Sequence, residues 1–312
     1  TVTLANDVAV TVTGTAAATD LTAIAAATSG TITASGVTTI TGTAAEIMAA
    51  HDDSSELSSI DTDFNATVTG TAAATDLTAL AAATSGTITA SGVTTITGTA
   101  TAIMAAHDDS SELSSIDGDF AATVTGTATE DELTALNAAT SGAIDASGVT
   151  AITAGSSSDV VALIDDGTVT LANDVAVTVT GGANATDLTA IAAATSGTIT
   201  AFVSAIHGTA AEIVAAHDNS ELTSIDDDFQ STVTGTAAAT DLTAIATATS
   251  GTITASGVTN ITGTAAEIVA AHDNGELGSI DGDFTTTVTG TAAATDLTAI
   301  ATATSARLLL HV

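Results

Sequence analysis

The chain has 312 residues, of which 36 are acidic and one, Arg307, is basic, for a formal net charge of −35. That balance excludes nucleic acid as a partner, because phosphate binding needs clustered Lys and Arg, and it excludes an anionic membrane surface for the same reason. No apolar run approaches the roughly 18 residues of a spanning helix, so membrane insertion is not expected, and cysteine is absent, so disulfides and thiolate metal sites are not available.

High charge with low hydrophobicity would indicate disorder, but 45% of the residues are apolar, so a core is affordable. With aromatics at 2% and no proline, that core must be thin and built from Ala, Val, Ile and Leu. Such a composition directs attention to repeats. The tag TVTG recurs at Thr11, Thr67, Thr123, Thr178, Thr232 and Thr287, and each unit between tags divides into two coils of about 28 residues. The chain opens on Thr1 rather than Met, which reads as a processed product or part of a longer chain.

Residues 1–10, TVTLANDVAV, form a partial coil, identical to 168–177. Ten full coils follow, starting at 11, 39, 67, 95, 123, 151, 178, 205, 232 and 260, and 287–312 is a second partial coil. In the coil at 11, TVT and TIT alternate polar and β-branched residues and predict half-buried strands. Between them ATDLTAIAAATSG predicts a short helix with Thr19 as N-cap, Asp20 in the first turn, and Leu21, Ile24 and Ala25 on one face. In the coil at 39, Thr43 and Glu46 form a capping box, repeated at Thr209/Glu212 and Thr264/Glu267. The coil at 95 has Ala102 in the glutamate's place and loses it. The helix then ends at His51 and turns at Asp52-Asp53, and S-I-D with D-x-D-F predicts a second strand closed by Phe64. The coil at 151 is a variant, and the last coil departs from the pattern with ARLLLHV.

Units of strand, short helix and strand that cannot bury their own faces predict a repeat solenoid. The expected fold is a right-handed α/β- or β-solenoid of ~28-residue coils, 1–312 in one run, with parallel strands stacked ~4.8 Å apart and one short helix per coil. Equivalent positions two coils apart would then lie ~10 Å apart. Val12, Ile32, Ile40, Ile60 and Val68 should point inward, and Phe64, Phe120, Phe229 and Phe284 should fill a wider corner.

Units such as TGTAAATDLTAIAAATSGTITASGVTTITGTAAEI resemble the repeat arrays of very long bacterial cell-surface and secreted proteins, notably of marine cyanobacteria. The resemblance runs to about Ser305 and implies an extracellular or cell-surface location with an adhesive or matrix-forming role. The glycine-rich calcium nonapeptide that accompanies some such arrays is missing, so calcium binding does not carry over from the resemblance.

Three residue sets could carry chemistry. His51, His107, His217 and His272 share one coil position beside acidic and serine residues. An imidazole there suits a helix C-terminus; a histidine–aspartate metal row and a hydrolase are the alternatives, although no G-x-S-x-G elbow is present. His207 and His311 stand alone. The pairs Asp61/Asp63, Asp117/Asp119, Asp226/Asp228 and Asp281/Asp283 are candidate calcium ligands, since carboxylate oxygens suit that hard cation, or else a solvated acidic face. Outward Thr-x-Thr rows suggest an ice-binding surface, or simply exposed strands, where threonine is favoured. Because every notable residue is repeated, the expected function is a non-catalytic structural component of a fibre, sheath or adhesin stalk that pairs with further copies of itself. A calcium-dependent adhesin and an ice-binding solenoid are the alternatives. A carbohydrate or cell-wall ligand is not specified by these residues.

Overall fold

The computed structural model describes residues 6–53, 56–109, 113, 115–223, 225–305 and 308–311. Residues 1–5 of the opening partial coil, and Arg307 in the closing ARLLLHV, lie outside them. The fold is a repeat solenoid in which strands alternate with helices, and it divides into two compact units. One unit comprises 1–150 with 167–172, the other 151–166 with 173–312.

The first unit contains β1 (Val10–Ala17), α1 (Ala18–Ala27), β2 (Ile32–Gly42), α2 (Ala44–His51), β3 (Asn65–Ala73), α3 (Ala74–Ala83), β4 (Ile88–Gly98), α4 (Ala100–His107), β5 (Ala121–Thr129) and α5 (Glu130–Ala139). Strand β6 (Ile144–Ala154) spans the division, α6 (Ser157–Asp165) belongs to the second unit, and β7 (Val169–Leu171) pairs with Ile144–Ala146 in the first. The second unit continues with β8 (Ala176–Asn184), α7 (Ala185–Ala194), β9 (Ile199–Gly208), α8 (Ala210–His217), β10 (Leu222–Thr223), β11 (Gln230–Ala238) and α9 (Ala239–Ala248). It closes with β12 (Ile253–Gly263), α10 (Ala265–His272), a single 3-10 turn at Gly275–Leu277, β13 (Thr285–Thr289), α11 (Ala294–Ala303) and β14 (Leu308–His311).

Within each unit the strands pair in parallel, and helices cover one face. In β2 the residues Ile32, Ala34, Val37 and Ile40 point under the helices and are at most 5% exposed, while Thr33, Ser35 and Thr38 face outward. On the helices, Leu77, Leu80 and Ile47, all fully buried, complete a thin aliphatic layer with their counterparts in other coils. Leu21 belongs to that layer, but Ile24 and Val12 in the first coil are only half-buried because nothing described covers that side.

The expected pair of strands per coil is replaced by one long strand. The ITA of one coil and the TITG of the next fuse into an unbroken strand of 11 residues in β2, β4 and β12. The S-I-D segment of the coil at 39 is a turn, not a strand. Its Ser59 stands in for a strand partner: the Ala34 N–H donates to Ser59 Oγ (2.7 Å), and Ser59 Oγ donates to the Ile32 carbonyl (3.3 Å). Ser115 and Ser279 repeat this bridge. One hydroxyl thus satisfies the two backbone groups that a ladder would have paired.

The expected in-register stack is also corrected. Ala16 lies beside Ile40 and Ile40 beside Ala66, whose counterpart one repeat earlier is Val10, six residues before Ala16. Rows therefore slide by about 20 Å along the strand per two coils, at ~3.3 Å per residue. The glycine of TVTG supports this shear. Gly70 adopts φ +79° at a register shift between Gly70 and Thr71, a bulge conformation that a side chain would resist. Outward threonines consequently align over only a few strands: Thr41, Thr67 and Thr89 are neighbours, but β5 pairs with β4 at Thr95–Gly98 alone.

Helix caps follow expectation in one coil type and depart from it in the other. The boxes at Thr43/Glu46, Thr209/Glu212 and Thr264/Glu267 form, and Thr99 caps without a glutamate. In the coil at 11 the helix begins two residues earlier than expected, so Thr19 is inside it and Ala17 occupies the cap with no side-chain bond, whereas the coil at 123 forms a box from Thr129 and Glu132. The strand runs directly into the helix, and Ala18, fully buried, must be the first helical residue for the chain to turn onto the sheet. Thr22 instead donates back to the Ala18 and Thr19 carbonyls.

Candidate functional site

The recurrent polar residues converge where one coil's exit turn meets the end of the next coil's first helix. His51, the last residue of α2, donates from Nδ1 to Asp52 Oδ1 at 2.9 Å, and its ring packs on Phe64 with centroids 5.6 Å apart. His107 with Phe120, His217 with Phe229 and His272 with Phe284 repeat the arrangement at 5.5–6.1 Å. Each phenylalanine is 1% exposed, as its corner position demands. The imidazole therefore lids an aromatic plug at a helix C-terminus, where Asp52 N–H also closes the last turn onto the Met48 carbonyl. Among the described residues, no serine or threonine hydroxyl bonds any of these histidines.

The aspartate pairs sit one turn further on. Asp61, Asp63, Asp117, Asp119, Asp226, Asp228, Asp281 and Asp283 are all exposed, and each pair flanks a turn rather than lying along a strand face. The residue between the aspartates presents its carbonyl to the next coil, where the N–H of Ser85, Ser141, Ser250 or Ser305 donates to it. Among the described residues, no three His, Asp or Glu side chains come together as a metal-holding group.

The turn's carbonyls are what the structure uses. Ser85 N–H donates to the Thr62 carbonyl at 2.8 Å, and Thr84 Oγ1 donates to the Phe64 carbonyl while accepting from Gly86 N–H. A Cβ on Gly86 would meet the Phe64 carbonyl oxygen at 2.2 Å, so only glycine lets the strands approach. The same Thr-Ser-Gly clamp recurs at 140–142, 195–197, 249–251 and 304–305, with each threonine buried. At 195–197 it grips Asn173 and Val175, which shows that A-N-D-V of the variant coil replaces D-x-D-F. In the sequence, T-S-G closes the ATDLTAIAAATSG segment and carries the look of a helix end. The signal available was its constant spacing, 20 residues after the phenylalanine.

No family model, curated protein or solved structure matches this chain.

A groove in the second unit is large enough for a ligand. It lies between α8 and α9, holds about 540 Å³, and is lined by Val214, His217, Phe229, Thr243, Ala244 and Thr247. Its counterpart beside His272 holds only about 10 Å³. Thr243 and Thr247 direct their hydroxyls to carbonyls within α9, which leaves the lining largely apolar.

Proposed function

We propose that this protein is a non-catalytic structural module of an extracellular or cell-surface fibre, sheath or adhesin stalk, and that it associates with further copies of itself through its end coils. The observation that carries this reading is the use made of the repeated polar residues. Thr84, Ser85 and Ser59 and their counterparts bond to backbone of neighbouring coils, so the chemistry is devoted to joining one coil to the next. The first and last described strands each offer an edge to a further strand, whether of a longer chain or of a second copy.

Those ends are apolar. Val10 and Val12 are half-buried, whereas the equivalent Val177 and Val179 are 1% and 0% exposed. At the other end Ala294 is exposed and Leu297 half-buried, whereas Ala239 and Leu242 are fully buried. A contact between two different surfaces builds a ring where its rotation closes and a filament where it does not. Sedimentation velocity from about 1 to 100 µM, with electron microscopy of the same samples, tests this. Concentration-dependent species that Val12→Asp abolishes are expected. Monodisperse monomers throughout would overturn the reading.

A further inference from the structure

Two neighbouring strands of the second unit, β8 and β9, depart from the repeat at positions that face the same way. Gly182 stands where β3 has Thr71, and Asn184 where it has Ala73. On the next strand Phe202 replaces the pair Ser91-Gly92 of β4, Ala205 replaces Thr95, and His207 replaces Thr97. In the second unit Thr180 is paired with Phe202, Gly182 with Ala205, and Asn184 with His207. Substitutions separated by more than twenty residues in sequence thus fall on adjacent strands, on the sheet face that carries no helices.

Together they make a shallow trough. The middle row, where β3 and β4 set two threonines side by side, is pruned to Gly182 and Ala205. One wall is Phe202, 54% exposed and the sole exposed large hydrophobic side chain among the described residues. The other is His207 with Asn184, both exposed. His207 Nε2 lies 3.7 Å from where a Cβ on Gly182 would be, so the ring stands within van der Waals reach of the pruned row. Among the described residues no hydrogen bond engages the His207 ring, and Asn184, whose Nδ2 donates to Asp187, keeps its Oδ1 as an acceptor. Phe202 and His207 are about 16 Å apart along the strand, at ~3.3 Å per residue.

We propose that this trough binds a neutral saccharide chain lying along β9. An exposed aromatic ring offers a stacking surface to the C–H face of a sugar. The imidazole and the amide supply a donor and acceptors for its hydroxyls, and a floor without side chains lets a flat ring sit close to the backbone. Charge decides against the other small polar ligands. The net charge of −35 and Asp187 beside Asn184 disfavour carboxylates, sulfates and phosphates, and none of the trough residues is Lys or Arg. The span fits roughly three hexose units. This inference is independent of the self-association proposed above, which concerns the end coils.

The test is an aromatic ¹H–¹³C NMR titration of the full chain with cellohexaose, laminarihexaose and mannohexaose, each to about 10 mM. The Phe202 and His207 ring signals are expected to shift saturably with at least one of the three, while those of buried Phe64, Phe120, Phe229 and Phe284 stay fixed. Phe202→Ala should weaken binding by about tenfold. The double variant Gly182→Thr/His207→Thr restores residues that β3 and β4 accommodate at the same positions, so it should keep its melting temperature and lose the shifts. Absence of shifts with all three sugars, or unchanged shifts in both variants, overturns the proposal. So does sedimentation showing Phe202-dependent dimers, which would make the face a protein contact.

Discussion

Thr84 shows how a single hydroxyl can hold two coils together. It donates to the Phe64 carbonyl of the preceding coil and accepts from Gly86 N–H, so it settles two backbone groups in a site closed to water. Thr84→Val keeps the shape and leaves the carbonyl without its donor. Leaving one buried polar group unsatisfied costs about 1–3 kcal/mol, and urea denaturation should show that loss. Ser85→Ala should cost far less, because Ser85 grips the Thr62 carbonyl mainly through its main-chain N–H, which the variant retains. Equal effects at the two positions would mean that the clamp works through packing rather than through the threonine hydroxyl.

At the scale of the helix, the capping glutamates couple stability to pH. Glu267 is held below its ordinary 4.5 by the Thr264 N–H and then its hydroxyl. Glu132 is lowered chiefly by the Thr101 hydroxyl of the neighbouring helix, with the Thr129 N–H second. A depressed carboxylate stabilises the fold fully above its unfolded value and loses that contribution as pH falls through the folded one. The Glu132→Gln and Glu267→Gln variants should therefore melt below the parent at pH 7, and the gap should close on acidification below about pH 4.5. Helix α4 supplies the converse test. It has Thr99 but no glutamate, so Ala102→Glu should complete a box and add up to about 1 kcal/mol.

For the molecule as a whole, charge is the dominant liability. A net −35 opposes compaction at low ionic strength, and screening shortens to about 8 Å at physiological salt and less in seawater. The sliding register helps, since it carries equivalent positions two coils apart well beyond that length. We expect the melting temperature to rise by several degrees as sodium chloride goes from about 10 to 500 mM. Calcium prefers six to eight oxygen ligands, whereas each aspartate pair offers two exposed carboxylates on a turn. At matched ionic strength calcium should therefore add little over sodium. A calcium excess that vanishes in Asp61→Asn/Asp63→Asn would instead identify the pairs as ligands.

The period, the parallel strand-and-helix coil, the inward aliphatic positions, the phenylalanine corners and the capping boxes were all legible in the sequence. Each depends on local spacing or on burial that every coil repeats, so pattern alone determined them. What the tertiary structure decided depends on the neighbouring coil. S-I-D alternates like a strand, yet Ser59 meets Ala34 and Ile32 through its side chain and no ladder forms. Thr19 has the chemistry of an N-cap, yet the buried Ala18 must open the helix. Thr-Ser-Gly looks like a helix end, and only the adjacent turn reveals it as a clamp. Gly182, Asn184, Phe202 and His207 are scattered exceptions along the chain, and it is strand pairing that gathers them onto one face.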